Sequence, residues 1–358
     1  MRGKGINYDT GFSPAGDTSR PEFHADQVRE ELRVIAEELH CTAVRISGDD
    51  PERLSIAAGC AAELGLEIWF APFPCDLTPQ EMLPWFEDCA RRAERVRAGG
   101  AEVVLVTGCE LSVFAQGFLP GDGFAERVAN VAAPDPELFR PYGNIAGRLS
   151  AFLAEVAARV RPHFGGPLSY ASGPWEEIDW TPFDIVGVDA YRDEHNADHY
   201  RDELRAHFAH GKPVAVTEFG CCAYQGAAAR GAMGWDVVDD DAEPRRVVGE
   251  FVRDEQVQVR YLRELLPVFE EEGVDAAFWF TFAAYGASHD RDPRFDLDLG
   301  SYGVVRMVPG GGRPGLGWEP KLVFDALAQA YAPACVPTCV PACVPACVPV
   351  RVATSARA

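Results

Sequence analysis

The amino-acid sequence predicts an α/β fold: a single (β/α)8 TIM barrel with long loops at the C-terminal face and a disordered C-terminal tail. Three observations predict it. Eight short apolar runs recur along the chain, amphipathic helical stretches alternate with them, and no linker interrupts the series before about Tyr331. The 358 residues suffice for one such barrel with extended loops, or for two ordinary domains. The unbroken alternation favours one barrel over residues 1–332, followed by a low-complexity tail at 333–358.

The candidate strands are Gly5–Tyr8, Ala43–Ser47, Glu67–Ala71, Val103–Thr107, Leu168–Ala171, Ile185–Ala190, Val214–Glu218 and Ala276–Phe282. Most are nearly continuous in apolar residues, as strands covered on both faces should be. Helical stripes lie between them: Val28, Leu32, Ile35 and Leu39; Leu149, Phe152, Val156 and Val160; Val259, Leu262, Leu266 and Phe269. Plain packing against the barrel wall accounts for all of these. The longest connections follow the fourth, seventh and eighth strands (111–136, 220–244 and 283–318), on the face where barrel sites are assembled.

Composition narrows the function classes. The chain is 47% hydrophobic and 25% charged, and no apolar run approaches the roughly 20 residues of a membrane helix. With Met1 leading directly into a strand-like segment and no apolar signal region, a cytoplasmic protein is expected. A net charge of −22 repels phosphate backbones and anionic lipid surfaces, so neither nucleic acid nor a membrane is an expected partner. A small-molecule or oligosaccharide substrate suits this surface better. Cys41, Cys60, Cys75, Cys89, Cys109, Cys221 and Cys222 lack the spacing of a disulfide framework. The tail repeats Cys335, Cys339, Cys343 and Cys347 at a period of four with proline in every period, which forbids a helix and lacks the paired spacing of a zinc site.

The candidate chemistry rests on two glutamates. The fourth strand ends as Thr107-Gly108-Cys109-Glu110 and the seventh as Val216-Thr217-Glu218-Phe219-Gly220, so both carboxylates point into one barrel mouth. A carboxylic acid and a carboxylate about 5 Å apart are what glycosidic cleavage through a covalent intermediate needs. Arg45 would be costly to bury unpaired; a place beside Glu218 would stabilise that carboxylate, and pairing with Asp9 is the structural alternative.

On these residues the chain resembles the clan A (4/7 superfamily) retaining glycoside hydrolases. Thr217-Glu218-Phe219-Gly220 looks like their nucleophile segment, Gly5-Ile6-Asn7-Tyr8 like their first strand and Val44-Arg45-Ile46 like their second. The resemblance covers roughly Lys4 to Tyr331. It implies Glu110 as acid/base, Glu218 as nucleophile, and Asn7, Arg45 and Cys109 as neighbours that bind substrate or orient the pair. Tyr191 resembles the tyrosine that hydrogen-bonds the nucleophile, and Trp279 the eighth-strand aromatic that forms a sugar platform. Trp235 and Tyr285 stand in loops on the same face with Trp175, Trp180 and Tyr224, where pyranose rings stack or a lid packs. One position departs from the pattern: Cys109 stands where that superfamily usually has an asparagine that binds the sugar 2-hydroxyl. A thiol is a poor replacement, which implies an unusual substrate or another polar partner such as Ser112.

The expected enzyme is a retaining, β-glycosidase-like O-glycosyl hydrolase acting on a neutral saccharide without a cofactor. The alternative is a non-hydrolytic carbohydrate-binding or signalling barrel. The chain also resembles bacterial barrel proteins labelled abortive-infection proteins, which implies a role in phage defence. No metal site is expected: His195 and His199 lie four apart near Asp189 and Glu194, but no His-x-His follows the first strand. The segment from Asp290 to Asp298 lacks the glycine and terminal glutamate of a calcium loop and reads as a polar loop. No Gly-x-Ser-x-Gly elbow and no phosphate-cradling glycine motif is present.

Overall fold

The computed structural model describes residues 1–14 and 16–333. The cysteine-proline tail, and with it the expectation of disorder there, lies outside the described residues. Eight parallel strands close into a barrel: Gly3–Asp9, Ala43–Gly48, Glu67–Pro72, Val103–Cys109, Leu168–Ser172, Val186–Asp189, Val214–Phe219 and Ala276–Trp279. They follow one another around the barrel in chain order, and the first closes on the eighth with Gly3 opposite Ala276 and Ile6 opposite Trp279. The eighth strand ends at Trp279 rather than at Phe282.

Alternation along the strands builds two apolar layers. Ala43, Trp69, Val104, Val106, Ala171, Ala215, Ala276 and Phe278 pack together inside the barrel. Their neighbours Val44, Ile68, Leu105, Val214 and Val216 pack outward with the helical stripes, including Val28, Leu32, Leu149, Val156 and Leu262. The interior is crowded enough to dictate a glycine: a Cβ on Gly5 would come within 2.3 Å of the Phe278 ring, which itself packs against Trp69 at 4.9 Å. Large aromatics fill the lower barrel because the first strand contributes no side chain there.

The outer ring departs from the ideal. Helices Ala25–Glu37, Pro51–Glu63, Pro79–Ala98, Ile145–Val160, Tyr200–Ala206, Gln256–Glu272 and Leu322–Tyr331 cover seven of the eight crossovers, and residues 173–185 join the fifth strand to the sixth without a helix. Trp180 and Phe183 cover the gap, each with its ring 6.5 Å from that of Tyr170. A segment without helical hydrogen bonds must satisfy its carbonyls elsewhere. Lys212 does so, its ammonium donating to the carbonyls of Trp180, Thr181 and Phe183. A cavity of about 140 Å³ bounded by Ile178, Trp180, His210 and Lys212 remains under the loop.

The long loops at the C-terminal face carry short elements of their own. Leu111–Phe114 and Phe124–Ala132 are helical, and Val238–Asp239 pairs with Arg246–Val247. The loop after the eighth strand is pinned by buried charge rather than solvated along its length. Arg253 donates to Asp296 at 2.8 Å and to Asp298 at 2.9 Å, and Lys321 reaches Asp298 at 2.9 Å. Asp296 and Asp298 are both buried, which corrects the reading of their segment as a simple polar loop. Among the described residues no helix is long and apolar enough to cross a membrane.

Lys212→Met should destabilise the fold by about 1 kcal/mol, because it leaves part-buried carbonyls without a donor. Urea unfolding reads this as a lowered midpoint at unchanged slope; an unchanged midpoint would remove Lys212 from the account of the missing helix.

Candidate active site

Two register shifts create the site. In the fourth strand Val104 and Val106 point inward, so strict alternation would send Cys109 outward; the register slips between Val106 and Cys109, and Cys109 joins the interior cluster. In the seventh strand Ala215 and Thr217 point inward, yet Glu218, next in sequence, also faces the mouth. There the pairing with both neighbours slips, and Phe219 packs outward. Bulges of this kind re-aim side chains beside sites. Glu110 follows the first bulge with φ +43° and ψ +43°, a left-handed conformation that costs a residue other than glycine about 1–2 kcal/mol.

Glu218 is 8% exposed and held by two donors. Arg45 Nη1 reaches its Oε1 at 2.7 Å, and the Tyr191 hydroxyl donates to its Oε2 at 2.9 Å. The same Arg45 nitrogen donates to Asn7 Oδ1 at 2.7 Å, while the Asn7 amide donates to the Thr217 carbonyl at 3.0 Å. Arg45 is fully buried, and its Nε and Nη2 have no hydrogen-bond partner. Burial opposes its charge, but Cys109, Glu218 and Asp189 outweigh that and hold the guanidinium protonated. Arg45 therefore pairs with Glu218, while Asp9 accepts from Ser19 and Gly11. Burial, and then the charges of Glu218, Tyr302 and Asp189, push the Tyr191 hydroxyl well above its ordinary pKa, so it remains a donor.

Glu110 differs from Glu218 in having no cation on its carboxyl group. Burial first, then the charges of Asp189, Glu218 and Glu176, raise its pKa well above the usual carboxylate range, against a smaller pull from Arg45. Its position is fixed from behind. Glu110 N–H donates to the Ala171 carbonyl at 2.9 Å, and Leu111 N–H to the Tyr170 hydroxyl at 2.8 Å. Glu176 then ties the turn to the fifth-strand loop, accepting from Ser112 N–H at 3.0 Å and the Tyr170 hydroxyl at 2.8 Å. The Trp175 indole N–H donates to Ser112 Oγ at 3.1 Å, leaving the ring 40% exposed. Ser112 thus serves Trp175, not the place suggested for it beside a sugar.

Sequence reasoning missed Glu176 and Asp189. Nothing in the sequence around Glu176 marks it. Asp189 ends the sixth strand as Glu110 and Glu218 end theirs, and that criterion applied evenly would have found it. It is 3% exposed, accepts from Thr217 Oγ1 at 2.7 Å and lies 3.5 Å from Cys109 Sγ. Burial, then Glu218, raise its pKa well above the ordinary range. Cys109 has one S–H for two acceptors, Asp189 Oδ2 and, at 3.7 Å, Glu218 Oε1.

Other expectations need correction. Trp279 is fully buried, its indole N–H spent on the Tyr302 carbonyl at 3.0 Å and its ring packed on Phe219, so no sugar can stack on it. The aromatic on the mouth side is the next residue, Phe280, which is partly exposed and packs edge-on to Tyr302 as Tyr191 does. Tyr285 gives its hydroxyl to Glu31 at 2.7 Å and one ring face to Arg20 at 3.8 Å, which commits it to a cluster between the first strand and its helix. Trp235 is 36% exposed on the loop after the seventh strand. His195 and His199 are exposed beside Glu194 and Glu203. Cys109, Asp189 and Glu218 bring a sulfur and two carboxylate oxygens within 4.8 Å of one another. The Arg45 guanidinium already occupies Glu218 there, and a metal cation would be set against it.

The architecture has known counterparts. A β-1,4-mannanase of glycoside hydrolase family 113, solved as a complex, superposes with a TM-score of 0.59 at 16% identity, covering 92% of this chain and 100% of that one. The family 113 β-mannanase of Alicyclobacillus acidocaldarius gives 0.58 at 16%, covering 92% and 97%. A family 1 β-glucosidase from Thermotoga maritima gives 0.53 at 12%, covering 91% and 96%. No family model matches the sequence, and no curated protein does. The fold is the closed eight-stranded barrel that these glycoside hydrolases share.

The raised pKa of Glu110 fixes a sign for stability. Its folded-state pKa lies above the unfolded value, so its contribution is complete below the unfolded pKa, about 4.3, and is lost as pH rises through the folded one. Glu110→Gln removes that loss. Thermal unfolding from pH 4 to pH 8 should show the variant gaining on the parent protein as pH rises; a constant difference would mean that Glu110 is not perturbed.

Proposed function

We propose that this protein is a retaining β-glycosidase-like hydrolase of neutral saccharides. The observation that carries the reading is the asymmetry between two glutamates sharing one mouth: Glu218 held by Arg45 and Tyr191, Glu110 without a cation and driven toward its acid form. Environments that push two carboxyl groups apart assign an acid and a nucleophile. In the first step a Glu218 oxygen bonds to the anomeric carbon as the glycosidic bond breaks, and the leaving oxygen takes the Glu110 proton. In the second, Glu110 takes a proton from water, whose oxygen bonds to the anomeric carbon and releases Glu218. Phe280, Trp175 and Trp235 offer partly exposed aromatic surface for pyranose rings. Arg45 supports a neutral substrate, since its charge is already spent on Glu218.

A carbohydrate-binding barrel without turnover is the second reading. Cys109 favours it, because its single S–H is engaged by Asp189 and Glu218 and gives a sugar 2-hydroxyl little to bind. No feature of the site points to phage defence.

Incubation with 2-deoxy-2-fluoro glycosides, those of mannose and glucose first, should give a covalent adduct on Glu218 detectable by intact mass and peptide mapping. Saturable binding of the parent sugars with no adduct from any fluorosugar would favour the binding barrel. For aryl glycosides, Glu218→Gln should abolish turnover. Glu110→Gln should slow substrates with poor leaving groups by on the order of 10²–10⁴-fold and spare activated ones far more, since these need no proton in the first step. Equal losses across leaving groups would remove Glu110 as the acid.

A further inference from the structure

Around the buried Arg45 lie the carboxyl groups of Glu110, Glu218 and Asp189, and the double displacement proposed above uses the first two. We propose that Asp189 is a positioning residue of this site, joining the ends of the fourth and seventh strands through its contacts with Thr217 and Cys109 and coupling its carboxyl group to that of Glu110. The inference rests on that reading of Glu110 and Glu218 for its catalytic meaning, and on the geometry of Asp189 for the rest.

The geometry is specific. Asp189 ends the sixth strand, next to the seventh, and the Ala190 N–H donates to the Glu218 carbonyl at 2.9 Å. On the seventh strand Thr217 Oγ1 donates to Asp189 Oδ1 at 2.7 Å; across the barrel, Cys109 Sγ on the fourth strand lies 3.5 Å from Oδ2. The two residues that touch the Asp189 carboxyl group therefore immediately precede Glu218 and Glu110. Both bulges that aim those glutamates are braced from one side chain, and its near-complete burial leaves it few other positions.

The titratable groups around Asp189 and Glu110 come from four strands and one loop. The second strand supplies Arg45, the fourth Cys109 and Glu110, the sixth Tyr191, the seventh Glu218, and the loop after the fifth Glu176. Arg45 is paired with Glu218, so a charge arising on Asp189 has no cation of its own and acts on its neighbours by repulsion. Asp189 stands ahead of both Glu218 and Glu176 among the charges that keep the proton on Glu110.

The test reads Glu110 itself. In the full-length protein labelled with ¹³C at the carboxyl carbons, with Glu110→Gln to assign the signal, Asp189→Asn should lower the pH at which Glu110 titrates by on the order of one unit. Thr217→Val should lower it less, because losing the donor to Asp189 favours the neutral acid. Folding is checked by thermal unfolding, and if Asp189→Asn does not fold, Thr217→Val carries the test. A Glu110 titration unmoved in a folded variant overturns the proposal. The basic limb of the kcat/KM profile for an aryl glycoside should move down with it, whereas a purely structural role would scale the profile without displacing that limb. If the parent protein cleaves no aryl glycoside, the hydrolase reading fails, and the carboxyl titration still decides the role of Asp189.

Discussion

The site depends on a guanidinium that is cut off from water. Arg45 projects from the second strand into the barrel, fully buried, and such a charge persists only where a partner compensates the lost hydration. The compensation comes from the seventh strand through Glu218 and from the first through Asn7, so one nitrogen links three strands around the closure of the barrel. Two other nitrogens of the same group lack hydrogen-bond partners. Its stability therefore rests on charge more than on hydrogen-bond count, and the anionic crowd around it is part of what keeps it in place. Removing Glu218 would cost more than a contact, because it would leave the cation buried without its counter-charge.

Much of the fold was legible for a simple reason. Strands covered on both faces must be almost wholly apolar, and helices packed on them must carry a stripe, so both patterns are written at single-residue resolution. The missing fifth helix was not legible as an absence, since Trp180 and Phe183 look like core residues whether or not a helix carries them. Trp279 failed for a subtler reason. The eighth strand offers Phe278-Trp279-Phe280 in succession, and alternation gives the interior to Phe278 and the outer layer to Trp279; only the exit of the chain after Trp279 turns Phe280 toward the mouth. A family likeness favoured the tryptophan by residue type, where parity would have excluded it.

The two glutamates were singled out by position, and yet a strict period of two would have placed Glu218 outward with Val214 and Val216. Its proposed role requires the bulge, and a bulge leaves no reliable trace in residue types here: Gly108, with φ +108° and a Cβ position that would strike Leu111, is the one hint in the fourth strand. Glu176 lay beyond reach because its function is long-range, joining Ser112 to Tyr170 across a loop that no local pattern describes.

The arrangement also has a consequence for the chemistry proposed. Before the first displacement the negative charge sits on Glu218 and the proton on Glu110; afterwards Glu218 is an uncharged ester and Glu110 a carboxylate. The number of charges around Arg45 is unchanged, and only their position moves, from the seventh strand to the fourth. A site whose dipoles and cation are already fixed by packing need not reorganise to follow that transfer, which is how a preorganised environment lowers a barrier. The cost is borne earlier, by the fold: a left-handed glutamate, a half-buried acid group without a cation and an arginine with idle nitrogens all destabilise the mouth. The closed barrel beneath, with its dense aromatic interior, is rigid enough to hold them there.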